Sequence, residues 1–431
     1  MKKTSLLLLL LAVLLAGAQA QRVKHVVLIT VDGFRPDFYL DTAWHTHNIR
    51  GLMQGGFHAK GVTSVFPSVT YPSHTTIITG VQPAQHGVFA NAVFEPQGNT
   101  GKIYWNDTSI HATTIWAAAH SKGLTVASVF WPVSAGAPVE YNIPDIGGMG
   151  EAVREANAMP AGFVTEVKQQ VFTPAETPNW GKDQHAARIA AYIIQKARPA
   201  LMTVHFFSVD HAEHVQGRNG DMVKAAIADA DEGVGIIVNA LKQQGIWDST
   251  VIIVTGDHGF LNVTQTVQPN VWLKQAGLIE DIKTGHWRAQ FFAVGGSAFL
   301  FVKDTAALAQ VNTLLASLPD SAKSLFRVIS KKQLLQTGAN PAAVLALSGL
   351  NGAAFSSSDA GPAIGPGKGG THGYYPEGSQ IQTGFVAFGP GIAPGGVINN
   401  MYLRDIAPTV AKMLGFTLPA AQGTIPVGLF K

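Results

Sequence analysis

Short apolar, β-branched runs recur along the chain and share one form. Val23 to Val31 (VKHVVLITV) ends at Asp32, Leu201 to Val209 (LMTVHFFSV) ends at Asp210, and Val251 to Thr255 (VIIVT) ends at Gly256-Asp257. Runs of this kind, separated by long stretches of helical period, predict buried strands of a mostly parallel sheet. Helical period runs from Ala186 to Ala197 and from Met222 to Gln243, where Gly245 supplies the stop. Gln382 to Phe388 (QTGFVAF) reads as one further strand, and Leu403 to Leu414 as a late helix. The pattern predicts an α/β fold: one domain with a mostly parallel central sheet sandwiched by helices.

Asn262 to Pro366 breaks the alternation. Strand-like FFAV and AFLFV pieces lie between His286 and Val302, a helical pattern follows from Thr305 to Leu318, and Ser356 to Gly370 is loop-like. The expectation is a cap region, residues 262–366, inserted between two parts of one active site.

The first residues carry a different pattern. Lys2 and Lys3 precede an apolar run from Leu6 to Leu15, and Ala18-Gln19-Ala20 follows, the three parts of a secretory signal peptide. Cleavage there leaves a catalytic domain of residues 21–431 and predicts a periplasmic or secreted protein. The apolar run is too short for a membrane helix, and no later stretch reaches the roughly 18 apolar residues one needs. No membrane span is therefore expected in the mature chain. Cysteine is absent, so disulfides and thiolate metal sites are excluded, and any metal must be held by His, Asp or Glu. The formal net charge of +3 includes the two lysines of the leader. The near-neutral remainder carries no nucleic-acid-binding signature, and there is no phosphate loop or dinucleotide fingerprint.

Open α/β sheets bring working residues together at the carboxyl ends of their strands, where Asp32, Asp210 and Asp257 all fall. In Asp210-His211-Ala212-Glu213-His214 a carboxylate and an imidazole stand four residues apart, within reach of one cation if a helical turn follows the strand. Asp257-His258 and Thr371-His372-Gly373 offer further ligands. Carboxylates with neutral imidazoles suit zinc, and also manganese or iron. An aspartate after a strand is also a common helix cap, so it is the ordered set that points to a two-metal site. Among the 15 histidines, His58, His111, His120, His185 and His205 read as structural or surface residues. His211 and Glu213 are expected beside the ligands or in solvent. Within Phe66 to Gly80 (FPSVTYPSHTTIITG), Pro72 fits the first turn of a helix and sets Thr70 at its N-terminus. Free N–H groups and the helix dipole make that end a seat for phosphate. A bound metal would lower the pKa of the hydroxyl. Without metals, Thr70 reads as a simple cap.

The ordered motifs resemble the alkaline phosphatase superfamily and, within it, the nucleotide pyrophosphatase/phosphodiesterase (type I phosphodiesterase) family. They are ITVDGFRPD from Ile29, FPSVTYPSHTTIITG from Phe66, HGVFANAVFEP from His86, IWAAAHSKG from Ile115, FWP from Phe130, SVDHAEHVQG from Ser208, TGDHGF from Thr255 and THGYYP from Thr371. The resemblance implies two Zn²⁺ per chain. Asp210, His214 and His372 would hold one, and Asp32, Asp257, His258 and the Thr70 oxygen the other. It implies Thr70 as nucleophile, a covalent phospho-threonine, Asn91 as donor to a phosphate oxygen, and Tyr71 beside the leaving group or base. A small-molecule phosphate ester, a nucleotide or another phosphodiester, is the expected partner.

A monoester carries one more negative charge than a diester and usually meets an extra cation near its non-bridging oxygens. Monoesterases of the superfamily often place a Lys-x-Arg pair after the strand that here runs into Phe130-Trp131-Pro132. This chain has no such pair, and its apolar segment resembles the diesterases, whose second substituent lies in a hydrophobic pocket. Val69-Thr70-Tyr71-Pro72-Ser73 departs from the Lys-Thr-Phe-Pro-Asn usual in the nucleotide enzymes and opens the question of the leaving-group pocket. Diester hydrolysis is the expectation. A phosphomonoesterase is the alternative, and a non-catalytic, metal-binding secreted protein a remoter one.

Overall fold

Alternating aliphatic residues decide which way each central strand faces. In β1 (His25–Val31), Val27, Ile29 and Val31 join the core on one side of the sheet, while Val26 and Leu28 join the core on the other. A strand buried on both faces reads as a continuous apolar run, which is the form seen in VVLIT. The computed structural model describes residues 23–98 and 100–431, so the signal peptide assigned to residues 1–20 lies outside the described residues.

The central sheet contains β2 (Phe57–Thr63), β3 (Val126–Val129), β4 (Tyr141–Ile143), β5 (Leu201–Phe206), β6 (Thr250–Thr255), β7 (Thr383–Phe388), β8 (Gly396–Ile398) and β9 (Met401–Tyr402) besides β1. Its order is β8-β2-β7-β6-β1-β5-β3-β4, with β9 also paired to β2. The β6-β1-β5-β3-β4 half is parallel throughout. The exception is β7, which runs antiparallel to both β6 and β2. One face is covered by α2 (Asp183–Ala197) and α4 (Asp221–Gln243), the other by α1 (Thr70–Thr79) and α5 (Ile406–Leu414). The helices read from the sequence stand within a few residues of these bounds, except that Leu403–Asp405 forms a separate 3-10 turn.

The second strand read from the sequence, Leu201 to Val209, is shorter than the apolar run suggests. β5 stops at Phe206, and Ser208 opens α3 (Ser208–Gln216), so Ser208 and Val209 are helical. That early turn puts Asp210 and His214 one turn apart on a single helix.

Between β6 and β7 the chain leaves the sheet. Leu261–Asn262 pairs antiparallel with Gly370–Thr371, so the outgoing and returning segments are joined at the base of the excursion. Beyond that staple lies a four-stranded antiparallel sheet of Ala289–Ala293, Ser297–Val302, Leu345–Gly349 and Phe326–Ile329, with the helix Thr305–Ser317 packed on it. This unit buries its own apolar cluster, including Trp272, Phe291, Leu300, Val311 and Leu347. Among the described residues no helix is long and apolar enough to cross a membrane.

Candidate active site

Three neighbouring parallel strands, β6, β1 and β5, end at the same edge, and the chain past each end carries an aspartate. Asp32 directly follows β1, Asp257 lies two residues beyond β6, and Asp210 is the third residue of α3 after β5. Gly33 makes the first turn possible. Its φ is +75°, its N–H donates to Asp257 Oδ1 (3.1 Å), and a Cβ there would meet Glu213 Oε2 at 2.7 Å. Only glycine fits such a backbone so close to a buried carboxylate.

The imidazoles are presented by their outer nitrogens. His214 Nδ1 donates to the Gly370 carbonyl (3.0 Å) and His372 Nδ1 to that of Ser68 (3.1 Å), which turns both Nε2 atoms inward. They stop 3.4 and 3.5 Å from Asp210 Oδ1. His258 Nε2 lies 3.2 Å from Asp32 Oδ1 and 3.1 Å from Asp257 Oδ2, and the His258 ring stacks on that of His372 at 3.7 Å. A backbone acceptor that fixes the outer nitrogen is the usual support of a metal-binding histidine.

These groups pass a fit test for cations. Asp32 Oδ1, Asp210 Oδ1, Asp257 Oδ2 and His258 Nε2 are buried and have no hydrogen-bond partner of sound geometry. Orphaned polar atoms are rare in protein interiors, and here four converge on one spot. Asp210, His214 and His372 bring ligand atoms within 4.8 Å of one another, as do Asp32, Asp210 and His258. Ligands about 2.0–2.1 Å from a tetrahedral zinc stand about 3.3 Å apart, close to the separations found. The second grouping recruits Asp210, with Asp257 touching it through His258.

Without a cation the charges are mutually strained. Burial, and then the charge of Asp32, push Asp257 up to about 8. Burial opposes the charge of His258, but Asp257 and Asp32 outweigh it and raise the imidazole to about 9. Burial and Asp32 also raise Asp210, whereas burial and the neighbouring His258 and His214 hold His372 well below the usual range. Burial opposes the charge of Asp32 too, but the hydrogen bond from His205 and the adjacent His258 imidazole keep its carboxyl well below normal.

Thr70 is the first residue of α1 and is buried. Its turn is tied to both ligand groups. The Ser68 carbonyl holds His372, and the Thr70 carbonyl accepts from His74 Nδ1 (2.8 Å), an atom 3.5 Å from Asp257 Oδ2. Asn91 Oδ1 accepts the Tyr71 N–H (2.9 Å), which leaves the amide NH₂ of Asn91 as its donor at the helix N-terminus. Tyr71 packs with Val88 and Val133 and donates its hydroxyl to Asp145 Oδ2 (3.0 Å); burial and that carboxylate raise its pKa.

Several residues depart from the sequence reading. His205, read there as structural, joins the site: Nε2 donates to Asp32 Oδ2 (3.2 Å) and Nδ1 to the Phe130 carbonyl (3.1 Å). Asp145 had carried no signal at all. Glu213 and His211 take the two places expected of them: Glu213 is fully buried beside Arg35 Nε (3.1 Å), and His211 is exposed to solvent. Phe130 and Trp131 do not line a pocket. Phe130 packs on Phe207 and Trp180, Trp131 on Trp116 and His74, and both are essentially inaccessible. The open cavity beside the site lies elsewhere, between the segment Phe89 to Tyr104 and the four-stranded sheet. It holds about 560 Å³ and is lined by Phe89, Phe94, Trp287 and Phe292 among others.

An α/β sheet with three carboxylates and three imidazoles at its carboxyl edge, beside a hydroxyl at a helix N-terminus, defines the class: a metal-centred α/β protein of alkaline-phosphatase-like fold. Residues 26–374 match the family described as type I phosphodiesterase / nucleotide pyrophosphatase, and the chain belongs to it. Human ectonucleotide pyrophosphatase/phosphodiesterase family member 5 is 26% identical over 249 residues, covering 56% of this chain and 46% of the human protein. Rat member 3 is 29% identical over 252 residues, covering 54% and 24% respectively. The chain thus spans less than half the length of these relatives. In fold, it superposes on a structure of murine ectonucleotide pyrophosphatase/phosphodiesterase 5, an inactive variant in complex with AMP, with a TM-score of 0.67 at 19% identity. That match covers 93% of this chain and 97% of the other.

Proposed function

We propose that this protein is a two-zinc phosphodiesterase/nucleotide pyrophosphatase, exported to the periplasm or medium, that hydrolyses small phosphate diesters through Thr70. The observation that carries the reading is the convergence of unpartnered, buried ligand atoms from Asp32, Asp210, Asp257 and His258 next to the N-terminus of α1. Family membership supports a phosphodiester, and the AMP bound to the murine relative supports a nucleotide as one of its parts.

Asp210, His214 and His372 would hold one zinc, and Asp32, Asp257 and His258, with Thr70, the other. When bound, the two cations supply charge stabilisation for the entering and leaving oxygens and lower the pKa of the attacking hydroxyl. The chain does the rest. Thr70 Oγ would lose its proton to solvent and form a bond to phosphorus as the bond to the leaving alcohol or nucleotide breaks, and that leaving oxygen takes up a proton. Water would then attack the phospho-threonine, giving up a proton as Thr70 Oγ departs and regains one. The Asn91 amide donates to a non-bridging oxygen, and the free N–H groups of the first turn of α1 add a positive field. The chain after β3 reads Phe130-Trp131-Pro132, with no Lys-x-Arg pair to meet the extra charge of a monoester, which favours a diester. The excursion after β6 acts as a cap that walls the substrate cavity.

The test compares bis-p-nitrophenyl phosphate with p-nitrophenyl phosphate, before and after chelation and with zinc restored. The diester is expected to turn over faster, to depend on zinc, and to lose at least about 10³-fold in kcat in Thr70→Ala. Monoester preference would point to the phosphomonoesterase. Zinc binding without turnover of either ester would point to a non-catalytic metal protein.

A further inference from the structure

Helix α3 carries two of the ligand residues yet does not cap itself. Phe207, the residue that precedes it, makes no side-chain hydrogen bond to the free N–H groups of the first turn. The N–H groups at the very start, those of Phe207 and Ser208, are met from another helix. Asp183 Oδ1 accepts from the N–H of Phe207 (2.8 Å) and from that of Ser208 (3.2 Å). Asp183 is itself the first residue of α2 and is fully buried. Its carboxylate therefore sits where the positive ends of two helix dipoles meet, and among the described residues no basic side chain pairs with it within 4.0 Å.

A buried carboxylate without a counter-ion is costly unless something in the fold needs it. Burial raises Asp183 to about 6, so at neutral pH it is mostly ionised despite its surroundings. The backbone it grips lies two residues before Asp210 and six before His214. A small rotation of the first turn would swing Asp210 Oδ1 away from the Nε2 atoms of His214 and His372, which it now approaches to 3.4 and 3.5 Å. Neither Phe207 nor Ser208 offers a substitute cap.

We propose that Asp183 is the positioning residue of the Asp210–His214–His372 ligand group, a clamp from α2 that sets the start of α3 so that these side chains meet one cation. This rests on the reading of those residues as zinc ligands. The structure contains its own comparator. Asp231, on α4, is equally buried and accepts from the N–H groups of Asn48 (3.0 Å) and Ile49 (2.8 Å), at the start of the helix His47–Gly55, which carries no site residue.

Zinc affinity of the full chain is measured by competition with a chromophoric chelator, with thermal stability measured in parallel. The panel is wild type, Asp183→Ala, Asp183→Asn and Asp231→Ala. Asp183→Ala is expected to weaken one of two zinc sites by about 10- to 100-fold, the range for residues that support metal ligands. Excess zinc should restore its activity. Asp183→Asn, which keeps the volume and one acceptor oxygen, should fold and show a smaller but measurable loss at the same site. Asp231→Ala should lose stability while both affinities stay within error of wild type. Wild-type affinity in Asp183→Asn and Asp183→Ala, or equal losses in Asp231→Ala, would overturn the inference alone. A wild-type chain that binds no zinc would overturn the ligand reading and the inference with it.

Discussion

In the proposed mechanism Asn91 would use one carboxamide for two purposes, and a single substitution separates them. Its oxygen caps α1 through the Tyr71 N–H, and its NH₂ is left for a phosphate oxygen. Asn91→Asp keeps the acceptor and removes the donor, so the helix should stay capped while kcat falls roughly 10²–10³-fold, the usual cost of one oxyanion donor. Melting within a degree or two of wild type would verify the cap; unchanged kcat would remove Asn91 from the chemistry. The converging residues were legible because Asp32, Asp210, Asp257 and His372 stand where an apolar run or a glycine turn stops, and His214 follows Asp210 at a helical spacing. His205 was not. A histidine inside LMTVHF looks like a core residue until the parallel register sets it across from Thr30, two residues before Asp32. Asp145 was hidden for another reason: it lies in an irregular turn after β4, and its link to Tyr71 crosses 74 positions.

At the scale of elements, β1, β5 and β6 could be read because they are buried on both faces and leave continuous apolar runs. The antiparallel course of β7 could not, since direction leaves no mark on such a run. The start of α3 was misplaced because FFSV continues the apolar pattern past the last ladder bond. The apolar FWP segment was taken for a substrate pocket, but its rings fill the core between β3 and its covering helices. The cavity in the folded chain instead depends on two elements distant in sequence, the Phe89 to Tyr104 segment and the four-stranded sheet. Its lining includes neighbours of two site residues. Ala90 and Ala92, in its lining, flank Asn91, and a Cβ on Gly373, next to His372, would meet the Val294 carbonyl at 2.1 Å and Val69 Cγ1 at 3.1 Å. If this cavity takes an apolar substituent of the diester, Ala342→Trp at its exposed rim should obstruct it. We expect about a tenfold or greater loss of kcat/KM for a diester with a bulky apolar group, on the scale of 1–3 kcal/mol for pocket contacts. Methyl p-nitrophenyl phosphate should be hydrolysed as by wild type. Equal effects on both substrates would remove the cavity from substrate binding.

The whole molecule registers the site in its stability. In the metal-free chain, Asp257 is raised from 3.8 to about 8 and His258 from 6.5 to about 9. For both groups the folded state holds the proton more tightly than the unfolded chain. Their contribution is therefore present at low pH and lost as pH rises through the folded values. Both contributions fall between pH 6.5 and about 8, and that of His258 goes on falling to about 9. Chelator-treated protein should melt at progressively lower temperature across this range, whereas zinc-loaded protein, its carboxylates and imidazoles already held deprotonated by the cations, should be flatter and more stable throughout. A chelated protein whose melting temperature is constant or rises from pH 6.5 to 9 would contradict the charge arrangement. The central claim is the two-cation centre, and the most direct measurement is zinc per chain after dialysis of wild type, Asp210→Asn and His258→Gln against buffered zinc. Two zinc per wild-type chain, with at least one lost in each variant, is the predicted result; one or none in the wild type, or two retained in both variants, would contradict it.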